Sequence, residues 1–201
     1  MEIVDIKSLK KYIKNKNIYM LLGFDKNDQY SSITELNNTI KNISKYLEKN
    51  SIIYYFGGIP SKEKTDIDYV ISEIKNKRND IELIMLSLHD IDVNDIPENI
   101  ISKILKIEIK TSKKRGVNNN NKKPLGITKL WCDLNKIQKI QKIFVLGGND
   151  ITLEEVLVAK ELELDIEYHA MKRKFLADSK TTVKKNTSIE EKIGVTHVLQ
   201  E

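Results

Sequence analysis

Residues 142–165 of this chain read KIFVLGGNDITLEEVLVAKELELD and contain the patterns of a strand, a glycine turn and a helix in immediate succession. The apolar run 143–146 is typical of a buried strand and stops at the pair Gly147-Gly148. From Thr152 onward, apolar residues recur every three or four positions, which predicts an amphipathic helix. Such a turn leaves backbone N–H groups at a helix N-terminus, where the helix dipole favours an anion. This stretch therefore predicts a phosphate or nucleotide site.

The same order of strand, glycine and helix recurs twice upstream. Apolar runs end at Gly23 and at the pair Gly57-Gly58, and an amphipathic pattern follows each of them. Because a right-handed crossover helix usually connects parallel neighbours, this alternation predicts an α/β, Rossmann-like three-layer sandwich with a mostly parallel sheet of five or more strands. The predicted strands are residues 17–22, 51–56, 81–86, 104–109, 143–146 and 165–168, and the main predicted helices are 32–47, 64–77, 127–137 and one beginning at 152.

Length and composition favour one domain with appendages. The chain has 201 residues, of which 40% are hydrophobic and 31% charged, enough for one core. We predict an N-terminal lead over 1–16, a Rossmann-like domain over 17–168, and a C-terminal extension over 169–201 that packs on it. Residues 111–123 are low in complexity and predict a flexible basic loop. Residues 104–109 alternate apolar and charged positions, as a half-exposed edge strand does.

Targeting and redox signals are absent from the sequence pattern. No apolar run approaches bilayer length, and the first residues lack the apolar core of a signal peptide. Cys132 is the single cysteine, so no internal disulfide can form. We therefore expect a soluble, cytoplasmic protein with no membrane partner. The formal net charge of +5 is moderate for so lysine-rich a sequence and is weak evidence about partners.

The glycine turns are expected to meet at one edge of the sheet. In an open parallel sheet the ligand crevice lies beyond the carboxyl ends of the strands. Gly23, Gly57-Gly58 and Gly147-Gly148 each follow such an end, and glycine lets a ligand approach the backbone without a Cβ in the way. Glycine also ends strands in many proteins that bind nothing there, so the expectation rests on fold analogy.

Two motifs resemble a known family. GGNDITLEE, residues 147–155, resembles the Gly-Gly-x-Gly-Thr-x-x-Glu signature of the LOG family, the "lysine decarboxylase-like" cytokinin-activating nucleotide hydrolases, and of the wider SLOG superfamily. IIYYFGG, residues 52–58, is similar to that family's second-strand Tyr-Gly-Gly motif. Nucleoside deoxyribosyltransferases share the late strand and the Gly-Thr-x-x-Glu helix start. The resemblance implies a nucleotide-binding Rossmann-like domain, cleavage of a base–ribose bond, and a homodimer.

The resemblance also implies roles for individual residues. Thr152 and Glu155 match the signature's Thr and Glu, and Glu155 would be the catalytic carboxylate that holds ribose hydroxyls and stabilises positive charge at the anomeric carbon. Lys129 stands where the family has an Arg-Lys pair on the preceding helix. The predicted ligand-binding residues are Gly23, Asp25, Gly57, Gly58, Lys129, Gly147, Gly148, Asn149 and Thr152.

Several of these residues also have a purely structural explanation. Thr152-x-x-Glu155 has the form of a capping box, which needs no substrate, and Glu154 is an alternative one residue out of register. Asp25 is a typical turn residue, and His89 has no partner identifiable from the sequence. His169 and His197 have no metal-like spacing, and the lone Cys132 is interpreted as a packing residue, so we expect no metal and no cofactor.

Three functions stay open at this stage. The first is a nucleotide-binding protein that hydrolyses the N-glycosidic bond of a nucleoside monophosphate. The second is a sensor or sequestering module that binds a nucleotide or an ADP-ribose-type ligand without turnover. The third is an RNA-associated protein, because residues 102–123 and 169–185 are rich in Lys and Arg. These segments lack interleaved aromatics for base stacking, so a solvated surface is the simpler interpretation of them.

Overall fold

The computed structural model describes residues 2–23, 28–29, 33–56, 66–88, 103–107, 113–177, 180–185 and 189. Within these ranges the strands are β1 (Glu2–Val4), β2 (Ile18–Gly23), β3 (Asp28–Gln29), β4 (Ile52–Phe56), β5 (Glu82–Leu88), β6 (Lys103–Ile107), β7 (Ile140–Leu146), β8 (Asp165–His169), β9 (Lys172–Ala177) and β10 (Lys180–Lys185). The helices are α1 (Ile6–Tyr12), α2 (Ile33–Tyr46), α3 (Asp66–Lys77), α4 (Gly126–Asn135) and α5 (Asp150–Glu161). None of these helices combines the length and the apolar character that crossing a bilayer requires.

Seven of the strands form one parallel sheet. Their order is β1-β6-β5-β4-β2-β7-β8, and every neighbouring pair runs in the same direction. From β2 the chain proceeds to β4 and β5 on one side, whereas β7 and β8 lie on the other side of β2. This is the doubly wound arrangement. The predicted α/β, Rossmann-like sandwich with a sheet of five or more strands is confirmed.

Two apolar layers lie on opposite faces of this sheet. Helices α1, α4 and α5 cover one face, and α2 and α3 cover the other. In β2, Met20 and Leu22 pack in the first layer while Tyr19 and Leu21 pack in the second. This alternation follows from the strand geometry, in which successive side chains point to opposite faces. Burial on both faces explains why such strands read as unbroken apolar runs in the sequence.

The N-terminal lead is part of the domain. Asp5 caps α1 by accepting hydrogen bonds from the backbone N–H groups of Lys7 and Ser8, at 2.7 and 2.9 Å. Leu9 and Ile13 are fully buried in the layer that contains α4 and α5. The strand β1 pairs with β6, which lies between β5 and β1. The expectation that β6 forms an edge strand is therefore wrong, because the lead supplies it with a second neighbour.

A second, antiparallel sheet has the strand order β10-β9-β3. Two residues separate β9 from the end of β8, and four residues separate β3 from the end of β2. Each residue extends the chain by at most about 3.6 Å, so the small sheet lies beside the carboxyl edge of the large one. Met171, just before β9, is buried in the layer that contains α2 and α3. The sequence pattern predicted none of these three strands.

Arg78 connects the end of α2 to the turn before β5. Its guanidinium donates hydrogen bonds of 2.6 to 2.9 Å to three backbone carbonyls at the end of that helix. The acceptors are the carbonyls of Ser44, Leu47 and Glu48. Helix-end carbonyls have no intrahelical partner, so Arg78 satisfies groups that would otherwise need water. Hydrogen bonds from Arg78 also hold the pKa of Asp80 well below its usual range.

Replacing Arg78 with alanine is expected to lower the free energy of unfolding by about 2–3 kcal/mol, because three helix-end carbonyls lose a charged donor. Urea denaturation measures the change. The control is Lys77→Ala, an exposed neighbour that should stay within about 0.5 kcal/mol of the wild type. Similar values for the two variants would contradict the assignment.

Candidate functional site

The strands β2 and β7 lie side by side where the strand order reverses, and Gly23 is aligned with Leu146. At such a point the loops leave neighbouring strands toward opposite faces and a crevice opens at the carboxyl ends. Gly23 has a φ of +103°, and a Cβ added to it would lie 2.1 Å from the carbonyl oxygen of Leu146. Only glycine fits there, and the structure brings Gly23 to the strand end that precedes Gly147.

The predicted glycine turn after β7 is explained largely by the protein's own packing. Gly147 and Gly148 both adopt positive φ, at 58° and 111°. The N–H of Gly147 donates to the carbonyl of His169 at 2.9 Å, which extends the pairing of β7 with β8. A Cβ on Gly148 would lie 2.6 Å from the side chain of Thr152. The N–H of Gly147 is thus used within the sheet and is not presented to a ligand.

The N-terminus of α5 is capped by Asn149. Its side-chain oxygen accepts hydrogen bonds from the N–H groups of Ile151 and Thr152, at 3.0 and 3.3 Å. Asp150 adds a carboxylate to the first turn, where it interacts favourably with the helix dipole. A phosphate at this helix start therefore finds fewer donors than the sequence suggests. Because Asn149 is the cap, Glu155 lies in the second turn, and the capping-box interpretation is wrong.

Glu155 is a fully buried carboxylate between α5 and α4. It accepts a hydrogen bond from the hydroxyl of Thr128 at 2.8 Å and forms an ion pair with Arg115. The Thr128 hydroxyl in turn accepts a hydrogen bond from the N–H of Gly116 at 2.7 Å. A buried carboxylate without such partners would cost several kcal/mol. Glu155 therefore fixes the segment before α4 against the second turn of α5.

Arg115 lies at the carboxyl edge of the sheet. Its guanidinium carbon is 4.4 Å from the ring centroid of Phe56, the last residue of β4. Nε and Nη2 both face Glu155, whereas Nη1 donates no hydrogen bond to any residue that the structure describes. The side chain is 18% exposed. Among the described residues, the Nη1 amino group of Arg115 thus stays uncommitted at the edge where the crevice of a doubly wound sheet opens.

The neighbouring glutamate, Glu154, holds the same segment. Its carboxylate accepts hydrogen bonds from Lys113 Nζ at 2.7 and 2.8 Å and from the N–H of Val117 at 2.9 Å. Partial burial acts to raise the pKa of Glu154, but these hydrogen bonds outweigh it and lower the pKa below its usual value. Val117 is buried. The predicted flexible loop over 111–123 therefore does not hold for residues 113–117, which are anchored to α5, whereas residues 119–123 are exposed.

The remaining predicted residues lie apart from this cluster or outside the described ranges. Lys129 is 66% exposed on α4 and pairs with Asp133 at 2.6 Å, so it does not take the role of the family's basic pair beside Glu155. Cys132 is buried, and burial raises the pKa of its thiol to about 12, as expected of a packing residue. Asp25, Gly57, Gly58 and His89 lie outside the described residues.

Nothing in the local pattern predicts Thr128 as a site residue, and only one signal marks Arg115. It stands in a lysine-rich run and is one of three arginines in the whole sequence. Arginine binds carboxylate and phosphate through a planar fork, which lysine cannot do, so its rarity here is informative. Within the described part of the chain, no cluster of three or more His, Cys, Asp or Glu could hold a metal ion.

A second charged cluster lies on β7 and β8. Lys142 Nζ is 3.2 Å from Asp165 and 3.1 Å from Glu167, and Glu167 is 2.9 Å from Nε2 of His169. The contact with His169 is the main reason that the pKa of Glu167 is lowered to about 2; partial burial opposes the change and Lys142 adds to it. This cluster joins the edge strand β8 to its neighbour by charge as well as by the backbone ladder.

Comparisons with known proteins do not assign this chain to a family. No family model matches it, and neither a curated protein nor a solved structure matches. The functional argument therefore depends on the residues themselves.

Replacing Glu155 with glutamine is expected to lower the free energy of unfolding by about 3 kcal/mol, because the mostly buried Arg115 loses its countercharge. The matched control is Glu161→Gln, an exposed glutamate at the end of the same helix, with an expected change within about 0.5 kcal/mol. Denaturant unfolding at neutral pH compares them, and a loss below about 1 kcal/mol for Glu155→Gln would refute a tightly paired carboxylate.

The free energy of unfolding, measured at decreasing pH, tests the charged cluster on β7 and β8. Since the folded-state pKa of Glu167 is about 2 against an ordinary value of 4.5, its ionised form stabilises the fold above about pH 4.5. That contribution is lost as the pH falls from about 4.5 toward 2. At neutral pH the free energy of unfolding of Glu167→Gln should be lower than that of the wild type by about 1 kcal/mol, because the ion pairs of Glu167 are partly exposed and screened. This difference should shrink as the pH falls through the window. A difference that is independent of pH would contradict the assignment.

Proposed function

We propose that this protein binds a nucleotide or a nucleotide-derived ligand at the carboxyl edge of the sheet, near the ends of β2 and β7 and beside Arg115. The observation that carries the proposal is the placement of Arg115, a partly exposed guanidinium held at that edge, whose Nη1 donates to no residue that the structure describes. Guanidinium groups are well suited to phosphate oxygens. The motifs that resemble the LOG and SLOG signatures favour the same class of ligand.

Arg115 is already oriented before a ligand arrives. Glu155 engages two of its three guanidinium nitrogens, and the ring of Phe56 lies under the group. Little side-chain entropy is then lost on binding, which raises affinity for a given set of contacts. Glu155 already neutralises the charge of Arg115. Arg115 therefore contributes to ligand binding mainly through an oriented hydrogen bond and less through long-range electrostatic attraction. The base and sugar must supply much of the binding energy through other groups at the edge.

The geometry supports binding without turnover as the first choice. A carboxylate that assists N-glycosidic cleavage must face the ribose and the developing oxocarbenium charge. Glu155 is fully buried, and both of its oxygens are engaged by Arg115 and Thr128. We therefore propose a sensor or sequestering module. Hydrolysis of the base–ribose bond of a nucleoside monophosphate is the second candidate, supported by the position of Glu155 beneath Arg115, where it would face a ligand if the arginine turned toward a phosphate.

A thermal-shift screen against nucleoside mono-, di- and triphosphates, NAD and ADP-ribose tests the binding proposal. A ligand at about 100 times its dissociation constant adds about 2.7 kcal/mol to the free energy of unfolding. Arg115→Lys keeps a positive charge beside Glu155 but loses the planar fork, so affinity should fall by about tenfold or more. Lys139→Gln, at an exposed lysine, is the matched control and should bind as the wild type does.

The same mixtures, examined by chromatography for released base, separate the two candidates. Stabilisation without released base supports the binding module. Base that is released by the wild type and not by Glu155→Gln, below the melting temperature of both, supports the hydrolase. If no nucleotide shifts the melting temperature, both candidates are wrong.

A further inference from the structure

Strands β9 and β10 form a hairpin in which positive charge is concentrated, and we call it the basic hairpin. Six of its twelve strand residues are Lys or Arg and none is acidic. They are Lys172, Arg173, Lys174, Lys180, Lys184 and Lys185. The whole chain has a formal net charge of +5, so the sequence without these six residues has a slightly negative formal charge. These six residues alone exceed the formal excess of positive charge in the whole sequence.

The strand register places like charges opposite each other. Lys172 is paired with Lys185, and Arg173 is paired with Lys184. Directly opposed residues of an antiparallel pair have Cα atoms about 4.5–5.5 Å apart, and like charges at such positions are destabilising. Four cationic residues thus occupy two consecutive rungs of one ladder. This arrangement opposes folding of the hairpin in isolation, and a bound polyanion would remove the repulsion.

Protection of a sheet edge does not explain this pattern. Lysines on edge strands deter pairing with other chains, which could account for those of β10. However, β9 is the central strand of its sheet, and Lys172 and Arg173 are flanked on their other side by Gln29 and Asp28 of β3. Asp28 is the one acidic residue in the three strands. Arg173 lies opposite Asp28, whereas Lys172 has Gln29 on one side and Lys185 on the other, so no acidic residue of the three strands is opposite it. A flanked lysine in this position favours a ligand of opposite charge.

The spread of these residues favours an extended polyanion over a single nucleotide. Each six-residue strand is about 20 Å long, and basic residues occur at the open end, with Lys172 and Lys185, and beside the turn, with Lys180. Arg173 and Lys184 form one rung of the register, and Lys172 and Lys185 form the next. A nucleic-acid strand carries one phosphate per about 3.4 Å of helix axis and can meet charges along this whole length.

We propose that the basic hairpin binds the phosphate backbone of a nucleic acid without reading its sequence. The paired strands carry these basic residues over a length of about 20 Å, which spans several phosphates of a nucleic-acid backbone. Contacts of this kind position a protein and carry no sequence information. This inference does not depend on the proposed nucleotide site, although the hairpin starts beside the same edge of the sheet.

Fluorescence anisotropy with labelled duplex DNA and single-stranded RNA of about 20 nucleotides, between about 50 and 200 mM salt, tests the proposal. The test variant changes Lys172, Arg173, Lys184 and Lys185 to Gln. Each phosphate contact contributes about 0.7–0.9 to the slope of log affinity against log salt, so the slope should fall by about 3. Affinity at the lowest salt should fall by about tenfold or more. The two oligonucleotides distinguish binding to a duplex from binding to a single strand.

The matched control changes Lys41, Lys45, Lys49 and Lys77 to Gln, which alters the net charge equally at four exposed positions outside the hairpin. It should keep the wild-type affinity and slope. A charge-preserving variant, with Lys172, Lys184 and Lys185 changed to Arg, should also bind. Circular dichroism compares the folds, and if the fourfold Gln variant does not fold, Lys184→Gln with Lys185→Gln on the edge strand should remove about half of the expected loss in slope.

Several outcomes would overturn the proposal. These are no binding by the wild type, equal losses in the hairpin and control variants, or a hairpin variant that loses nucleotide stabilisation and keeps oligonucleotide binding. Oligonucleotide binding without any thermal shift from nucleotides would support the hairpin and contradict only the nucleotide site.

Discussion

The buried ion pair between Glu155 and Arg115 fixes the geometry of the candidate site. Glu155 lies inside the layer between α4 and α5, and it can be there only because Arg115 and Thr128 reach it. The same contact brings the segment before α4 onto α5 and leaves a guanidinium at the carboxyl edge of the sheet. One carboxylate therefore serves the packing of two helices and the orientation of a candidate ligand contact, and substitutions there affect both properties together.

The sequence predicts the large sheet well because burial on both faces produces unbroken apolar runs such as β2, and helices on the faces produce a regular period. It does not predict β1 or β3, whose partners β6 and β9 are distant in the chain. It also misses β9 and β10, in which Lys and Arg interrupt the apolar run that marks a buried strand. Arg115 and Glu155 are likewise 40 residues apart, and no local pattern records their contact. The glycine turn is predicted, but the acceptors of the nearby N–H groups are not. The N–H of Gly147 donates to His169, and the N–H of Ile151 donates to the side chain of Asn149.

The carboxyl edge combines two kinds of positive charge with different physical consequences. Arg115 is paired with a buried carboxylate, so its positive charge is largely neutralised. What it offers a ligand is a hydrogen-bond donor in a fixed orientation. Basic residues of the hairpin occupy opposite positions in the strand register, and one acidic residue of β3 is paired with Arg173. Their attraction extends over about a Debye length and weakens with salt. A ligand that engaged both would be drawn in by the second and oriented by the first.

The contact between Gly23 and Leu146 limits how this crevice can change over evolution. A side chain at position 23 would collide with the backbone of β7 and separate the two central strands where they end. The spacing of β2 and β7 is thus set by main-chain atoms, which substitutions elsewhere cannot alter. Variation elsewhere in descendants of this sequence therefore leaves the separation of the two strands at this point unchanged.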